Sequence, residues 1–354
     1  MTTNRPRDTP LRVGILGAAN IARQFVRDVA PSKVVSVVAV GSRDAQTAAA
    51  FAAAHGLARH HGSYAALLAD AELDAVYLPL PNTLHAEWAI RAMESGKHVL
   101  CEKPLALGID EARAMFDAAR RHGVVLLESF PYQFQPQTID LLALLQEGAI
   151  GAVRSVQACF GFTLPNPQDN IRMKPELGGG ALLDAGSYPL SLIRLAMGCA
   201  PQRVHADATW AASGVDISLA ATLHYADGRR AQLSCAMDAA NHRRATIVGS
   251  KGTIETEYLN HTSDHAGGHP YGYLPSQLRV RRGTANTVPF EEIRSAVGSG
   301  FLFAAEAFAR MVAQRDFEAI DRAAQASCDN AATLEAIARS ARLGRIVDVP
   351  VPGS

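Results

Sequence analysis

The sequence predicts an α/β protein in two parts: an N-terminal doubly wound parallel sheet over residues 1–130, then an α/β domain with a large, mainly antiparallel open sheet over residues 131–354. Three observations predict it. The first third alternates short β-branched runs with alanine-rich helical stretches, the pattern of βαβ units. A turn of small residues, Gly17-Ala18-Ala19-Asn20-Ile21-Ala22, lies between the first strand and the first helix. Past residue 150 the chain changes to longer alternating strands joined by turns.

In order, residues 11–16 form a strand, 21–30 a helix, 34–40 a strand, and 45–55 a helix that Asp44 opens as its N-cap. A short helix at 64–70, a strand at 75–80 and a helix at 84–95 follow. Gly96 ends that helix as a C′ glycine would, and the strand at 98–101 delivers Glu102-Lys103-Pro104. A helix at 109–122 and a strand at 124–128 complete this half. After a helix at 138–147, strands are expected at 153–162, 204–210, 217–225 and 230–237. Asp227-Gly228 suits a two-residue hairpin, and Lys251-Gly252 is similar. A helix at 181–197 covers one sheet face, and helices at 301–312 and 328–342 close the chain; residues 265–273 read as an ordered loop.

The other sheet face must meet solvent or a partner chain. Its set in the third of these strands, Ser218, Ala220, Thr222 and His224, is only weakly polar, which predicts a homo-dimer or homo-tetramer built on that face. With 34 basic and 34 acidic residues the net charge is zero, so no electrostatic footprint points to nucleic acid or to an anionic membrane. Residues 1–10 are polar, and no run approaches the roughly 18 apolar residues of a spanning helix. Five widely spaced cysteines without metal-type spacing read as reduced thiols in the cytoplasm. The 12 histidines show no helical pairing with an acid, so no metal centre is expected.

A strand-to-helix turn presents backbone N–H groups and the positive end of a helix dipole, which suits a pyrophosphate. Gly17, Ala18, Ala19, Asn20 and Ile21 form that cradle, with alanine at the later two positions of the G-x-G-x-x-G pattern. At the end of the second strand, Ser42-Arg43 favours the 2′-phosphate of NADP(H) over NAD(H). Asp44 is the competing ribose acceptor, and its N-cap role accounts for it without a ligand. Lys103, beside Glu102 at a strand end, projects toward the crevice of such a sheet and is the candidate catalytic lysine. Asp184 and Tyr188 follow the glycines Gly178-Gly179-Gly180 and, four residues apart, share a helix face.

Together these segments resemble the glucose-fructose oxidoreductase / inositol dehydrogenase (Gfo/Idh/MocA) family. The resemblance is carried by the Gly17 to Ala22 loop, Leu80-Pro81-Asn82-Thr83-Leu84-His85, Glu102-Lys103-Pro104 and Asp184-x-Gly-x-Tyr188. It implies a Rossmann domain and an open-sheet domain, with Lys103 and Tyr188 flanking the substrate carbon opposite the nicotinamide. It places Leu80, Pro81, Asn82, His85, Glu102 and Lys103 on the cofactor side and Arg172 at the mouth of the site, where binding a polar substrate competes with a solvated surface role. For His85 a structural role competes with a contact to the nicotinamide ribose; for Phe160, core packing competes with walling the substrate pocket together with Phe162. Tyr188 stands where inositol-type members have histidine, which resembles the aldose dehydrogenase, dihydrodiol dehydrogenase and keto-sugar reductase branch; Gln133 replaces an arginine of several members.

The implied activity is hydride transfer to or from a sugar or sugar-like carbonyl or alcohol. Tyr188 would act as acid/base, Lys103 would favour its phenolate, and Asp184 would fix Lys103 or a substrate hydroxyl. Alternatives are a trans-dihydrodiol or xylose-type dehydrogenase, a sugar–sugar oxidoreductase with retained NADP, and a cofactor-sensing regulator without catalysis. Retention of Lys103, Asp184 and Tyr188 argues against the last.

Overall fold

Strand β1 (Leu11–Leu16) is the centre of the first layer, and apart from Arg12 its side chains are apolar on both faces because helices cover both. The computed structural model describes residues 9–257, 277–296 and 298–350, so the predicted loop at 265–273 lies outside the described residues. Flanking β1 are β2 (Val35–Gly41), β3 (Arg59–His61), β4 (Ala75–Leu78), β5 (His98–Glu102) and β6 (Leu126–Ser129), all parallel, in the order β3-β2-β1-β4-β5-β6. The order reverses between β1 and β4, which opens a crevice at the strand carboxyl ends. Helices α1 (Asn20–Val29), α2 (Ala45–His55), α3 (Tyr64–Leu68), α4 (His85–Glu94) and α5 (Ile109–His122) form the crossovers. Asp44 caps α2 by accepting the Thr47 N–H at 2.7 Å, and Gly56 ends it in the left-handed conformation.

After α6 (Pro136–Gln146), the second sheet comprises β7 (Val153–Thr163), β8 (Arg203–Trp210), β9 (Asp216–His224), β10 (Arg230–Ala236), β11 (Asp238–Gly249), β12 (Gly252–Glu257), β13 (Gln277–Arg282), β14 (Glu291–Ile293) and β15 (Val347–Asp348). Their order is β14-β13-β12-β11-β7-β10-β9-β8-β15, and every pair is antiparallel except β7 with β10. Helix α7 (Ser187–Met197) lies across β7 and β10 on one face. A π-helical turn, Leu182–Gly186, runs into α7, where the sequence suggests continuous α-helix from residue 181.

Two late helices tie the layers together. Helix α9 (Phe317–Leu343) begins 11 residues before the expected helix and touches α5 and β6 of the first layer as well as β8 and α7 of the second. Helix α8 (Gly300–Gln314) returns to the first layer and buries Phe301 and Phe308 there. Phe25 stacks on Tyr77 with ring centroids 3.9 Å apart, and Phe301 meets Phe25 edge-on at 5.8 Å. Burying each such side chain is worth about 1.5–3 kcal/mol. Among the described residues no helix is long and apolar enough to cross a membrane.

Candidate active site

Lys103 leaves the carboxyl end of β5 with its ammonium 2.8 Å from the backbone oxygen of Asp184 and 3.2 Å from Oδ1 of the same residue. The ammonium also lies over the Tyr188 ring, 4.7 Å from its centroid. On the far side of the carboxylate, Arg172 donates its Nε–H to Asp184 Oδ2 at 2.6 Å. Residues 103, 172, 184 and 188, from three separate stretches of chain, thus converge on one ion-paired cluster. Burial alone would raise the Asp184 carboxyl; Lys103 and Arg172 outweigh it and hold the group well below the usual carboxylate range. The carboxylate stays charged and so keeps both cations in place.

Local sequence explains the aim of each group. Tyr77 donates its hydroxyl to Glu102 Oε1 at 2.7 Å, and the Lys103 N–H lies 3.3 Å from Oε2. Glu102 is thereby held between β4 and the Lys103 amide, and burial raises its carboxyl. The Lys103–Pro104 bond is cis. On the other side of the site, Asp216 Oδ2 accepts the Leu182 N–H at 2.6 Å and fixes the start of the π-helical turn. Gly180 beside it has φ +115°, and a Cβ there would meet Asp216 Oδ1 at 2.2 Å, so the residue must be glycine.

His85 is fully buried, with Nδ1 and Nε2 each 2.9 Å from the carbonyl oxygens of Pro104 and Leu80. It ties the exit of β4 to the lysine loop through both ring nitrogens. Asn82 donates its side-chain N–H to the Gly178 oxygen at 2.8 Å, linking the segment after β4 to the glycine run of the second layer. Phe160 packs on Tyr188 with centroids 5.3 Å apart, and Phe130 and Tyr132 complete the ring's surroundings at 5.6 and 6.1 Å. At 5% exposure Phe160 is packed in the core beside Tyr188. Gln133 donates to Ser191 Oγ at 2.6 Å, toward α7. Sequence reasoning missed Arg243, whose guanidinium covers the Phe160 ring at 4.7 Å. Its parity with the buried Ala245 and Ile247 was the available signal.

At the cofactor end, Gly17 has φ +108°, and a Cβ on it would meet Leu80 at 2.9 Å, leaving a close backbone approach that only glycine allows. Its N–H donates to the Gly41 oxygen at 2.8 Å, which brings the end of β2 beside the turn. Helix α1 starts with neither a side-chain cap nor an acidic residue in its first turn, so its N–H groups and dipole face the cradle. Asn20 is exposed there and Ala18, Ala19 and Ile21 are half-buried, while Leu80 is buried beneath. Pro81 precedes the 3-10 turn Asn82–Leu84. Ser42 is buried, Arg43 is exposed beside Tyr64, and Asp44 is occupied by the Thr47 N–H and hydroxyl. This arrangement fits a bound dinucleotide.

Glu128, on β6 behind the lysine, is buried, and its carboxyl is pushed up to about 7. Burial dominates and Glu102 adds to it, against hydrogen bonds from Ser327 and the Leu105 N–H and the charge of Lys103. A carboxyl whose folded value lies above the unfolded one takes up a proton on folding. Its favourable linkage is therefore present at low pH and lost as pH rises from about 4.5 through about 7. Wild type is expected to lose more thermal stability than Glu128→Gln between about pH 5 and about pH 8; melting curves that shift in parallel would refute this.

Residues 11–130 match the family model described as an oxidoreductase family with an NAD-binding Rossmann fold, and residues 139–255 match the GFO/IDH/MocA C-terminal domain. The chain is 36% identical over 337 residues to D-xylose 1-dehydrogenase (NADP(+)) 2 of Haloferax volcanii, covering 95% of this chain and 99% of that one. It is also 36% identical over 248 residues to trans-1,2-dihydrobenzene-1,2-diol dehydrogenase of Danio rerio, covering 69% and 74%. Among solved structures, a 3-ketoreductase from Actinomadura kijaniata in complex with NADP and TDP-benzene superposes with a TM-score of 0.81 at 31% identity, covering 94% and 98%.

Proposed function

The chain belongs to the GFO/IDH/MocA oxidoreductase family, and from that premise we propose an NADP(H)-dependent enzyme that oxidises or reduces a sugar or sugar-like substrate. One observation carries the reading: the Lys103 ammonium sits between the Asp184 carboxylate and the Tyr188 ring, at the carboxyl edge of the dinucleotide sheet. The nicotinamide, when bound, supplies or accepts the hydride. Tyr188 donates a proton to the carbonyl oxygen during reduction and takes it back during oxidation. Lys103 stabilises the negative charge that builds on that oxygen and on the phenol. Asp184 holds Lys103 from one side and Arg172 from the other, so Arg172 can offer its remaining N–H groups to substrate hydroxyls. Phe160 and Arg243 wall the side toward β7 and β11.

Full-length similarity to a D-xylose 1-dehydrogenase favours an aldose. Activity of the purified protein with NADPH or NADP+ across aldoses, keto-sugars and dihydrodiols tests the class, and inactivity with every sugar would end it. Oxidation of a dihydrodiol alone would move the chain to the second reading, which the Danio rerio relative favours. Nicotinamide absorbance in the purified protein would mark a retained cofactor.

Cofactor choice rests on Ser42-Arg43, since Asp44 serves as a cap. Arg43→Ala is expected to raise the Kd for NADPH by tenfold or more, about the worth of a charge-assisted hydrogen bond pair, and to leave NADH nearly unchanged. Titration of protein fluorescence with each nucleotide measures it, and equal weakening of the two would refute it.

We assign cofactor binding to residues 1–130, and substrate binding and oligomerisation to residues 131–354. The open face of the second sheet holds a concavity of about 570 Å³, lined among others by Gln157, Cys159, Thr222 and Gln232, with Asp207 on β8 and Arg244 on β11 at its flanks. Both flanking strands lie two places from β10. A two-fold axis through β10 therefore sets Arg244 of one copy against Asp207 of the other, in a homo-dimer. Asp207→Arg should shift the mass in light scattering toward the monomer, and adding Arg244→Asp should restore the dimer. A monomeric wild type would dismiss the pairing. The five free cysteines fit a reducing cytoplasm.

A further inference from the structure

We propose that Glu128 is a positioning residue for Lys103, acting through the backbone of the loop that follows the lysine; the inference rests on the catalytic reading of Lys103. Strand β6 pairs with β5 so that Glu128 stands opposite Cys101 and Ser129 opposite Glu102. From there the buried carboxylate reaches past the strand end, and its Oε1 accepts the Leu105 N–H at 2.8 Å. Ser327 of α9 hydrogen-bonds the same carboxylate.

The position matters because few handles exist on this stretch. The Lys103 N–H is turned to Glu102, and Pro104 has no N–H, so Leu105 carries the next amide that can be gripped. Farther along, the Leu107 N–H donates to Glu111 Oε2 at 3.0 Å and the Ile109 N–H to Glu335 Oε2 at 3.1 Å. Alternate amides of an irregular loop are thus held by carboxylates from β6, α5 and α9, while His85 holds the Pro104 carbonyl. Of the three carboxylates, Glu128 is the one nearest the lysine and the one buried in the wall behind it. Without it, the Leu105 amide loses its acceptor in a dry environment, the loop shifts, and the ammonium leaves its place between Asp184 and Tyr188.

Two substitutions test this in the full-length protein. Glu128→Met removes the acceptor at similar volume and is expected to lower kcat about tenfold or more, with KM for the sugar and Kd for NADPH nearly unchanged. Glu128→Gln keeps a carbonyl oxygen for Leu105 and is expected to retain kcat within about twofold. A residue that merely stabilised the fold would lower the melting temperature and the active fraction while leaving kcat per NADPH-binding site intact. Wild-type kcat in Glu128→Met, or an equal loss in Glu128→Gln, would overturn the proposal. If Glu128→Met does not fold, Glu128→Gln decides by the same criterion. Lys103→Ala serves as control: if it stays active, the catalytic reading of the lysine fails first. If it is inactive while Glu128→Met is not, only the positioning role fails.

Discussion

Lys103→Ala is expected to reduce kcat by about 10³-fold or more while the Kd for NADPH changes little. The ammonium lies over the Tyr188 ring, and it is fixed by two contacts to Asp184, so its charge is pre-oriented before substrate arrives. A second consequence adds to the loss. Once the lysine is gone, the Asp184 carboxylate keeps only Arg172, and a buried charge with one partner fewer draws that arginine or water inward. Lys103→Arg is not a conservative repair, because a planar guanidinium cannot occupy the same point over the ring. The cradle at Gly17 and the end of β2 lie on other strands, which is why nucleotide affinity should survive. Stopped-flow rates under saturating NADPH, beside a fluorescence titration, separate the two quantities. A kcat within tenfold of wild type would remove the lysine from the mechanism.

Tyr188→Phe is the companion case, with an expected loss of about 10²- to 10⁴-fold in kcat. The ring is held by Phe130, Tyr132 and Phe160, and the residue is 4% exposed, so phenylalanine preserves every packing contact and deletes only the hydroxyl. Stability should move little, and the whole effect should fall on the chemical step. Unchanged turnover would mean that another group carries the proton. A loss confined to KM would make the hydroxyl a substrate anchor without an acid/base role.

The parallel layer was legible in the sequence because its strands are buried on both faces and its helices are punctuated by clear signals. Asp44 and Gly56 bracket α2, and Gly96 follows α4. The cluster of Lys103, Asp184 and Tyr188 was legible in part, since strand-end position and four-residue spacing point each group to a crevice. Strands β11 to β14 were not read. Asp238-Ala-Ala-Asn-His-Arg-Arg244 opens β11 with no alternation of polarity, and only the pairing with β7 makes it a strand. The π-helical turn leaves no local trace, and the residue that holds its first amide, Asp216, lies 34 residues away. Glu128 and Arg243 escaped for a related reason. Each acts across strands, on a partner at least 23 residues away; nothing in its neighbours marks Glu128, and only strand parity with Ala245 and Ile247 marks Arg243.

The aromatic stack of Phe25, Tyr77 and Phe301 has a consequence for how the molecule comes into being. As the chain leaves the ribosome, the nucleotide-binding layer emerges first, yet one side of it is sealed by a helix made about 170 residues after its last strand. Until residues 301–309 arrive, Phe25 faces solvent or a chaperone. A fragment ending at residue 130 should accordingly be sticky and short-lived, and appending residues 300–314 through a flexible tether should rescue its solubility.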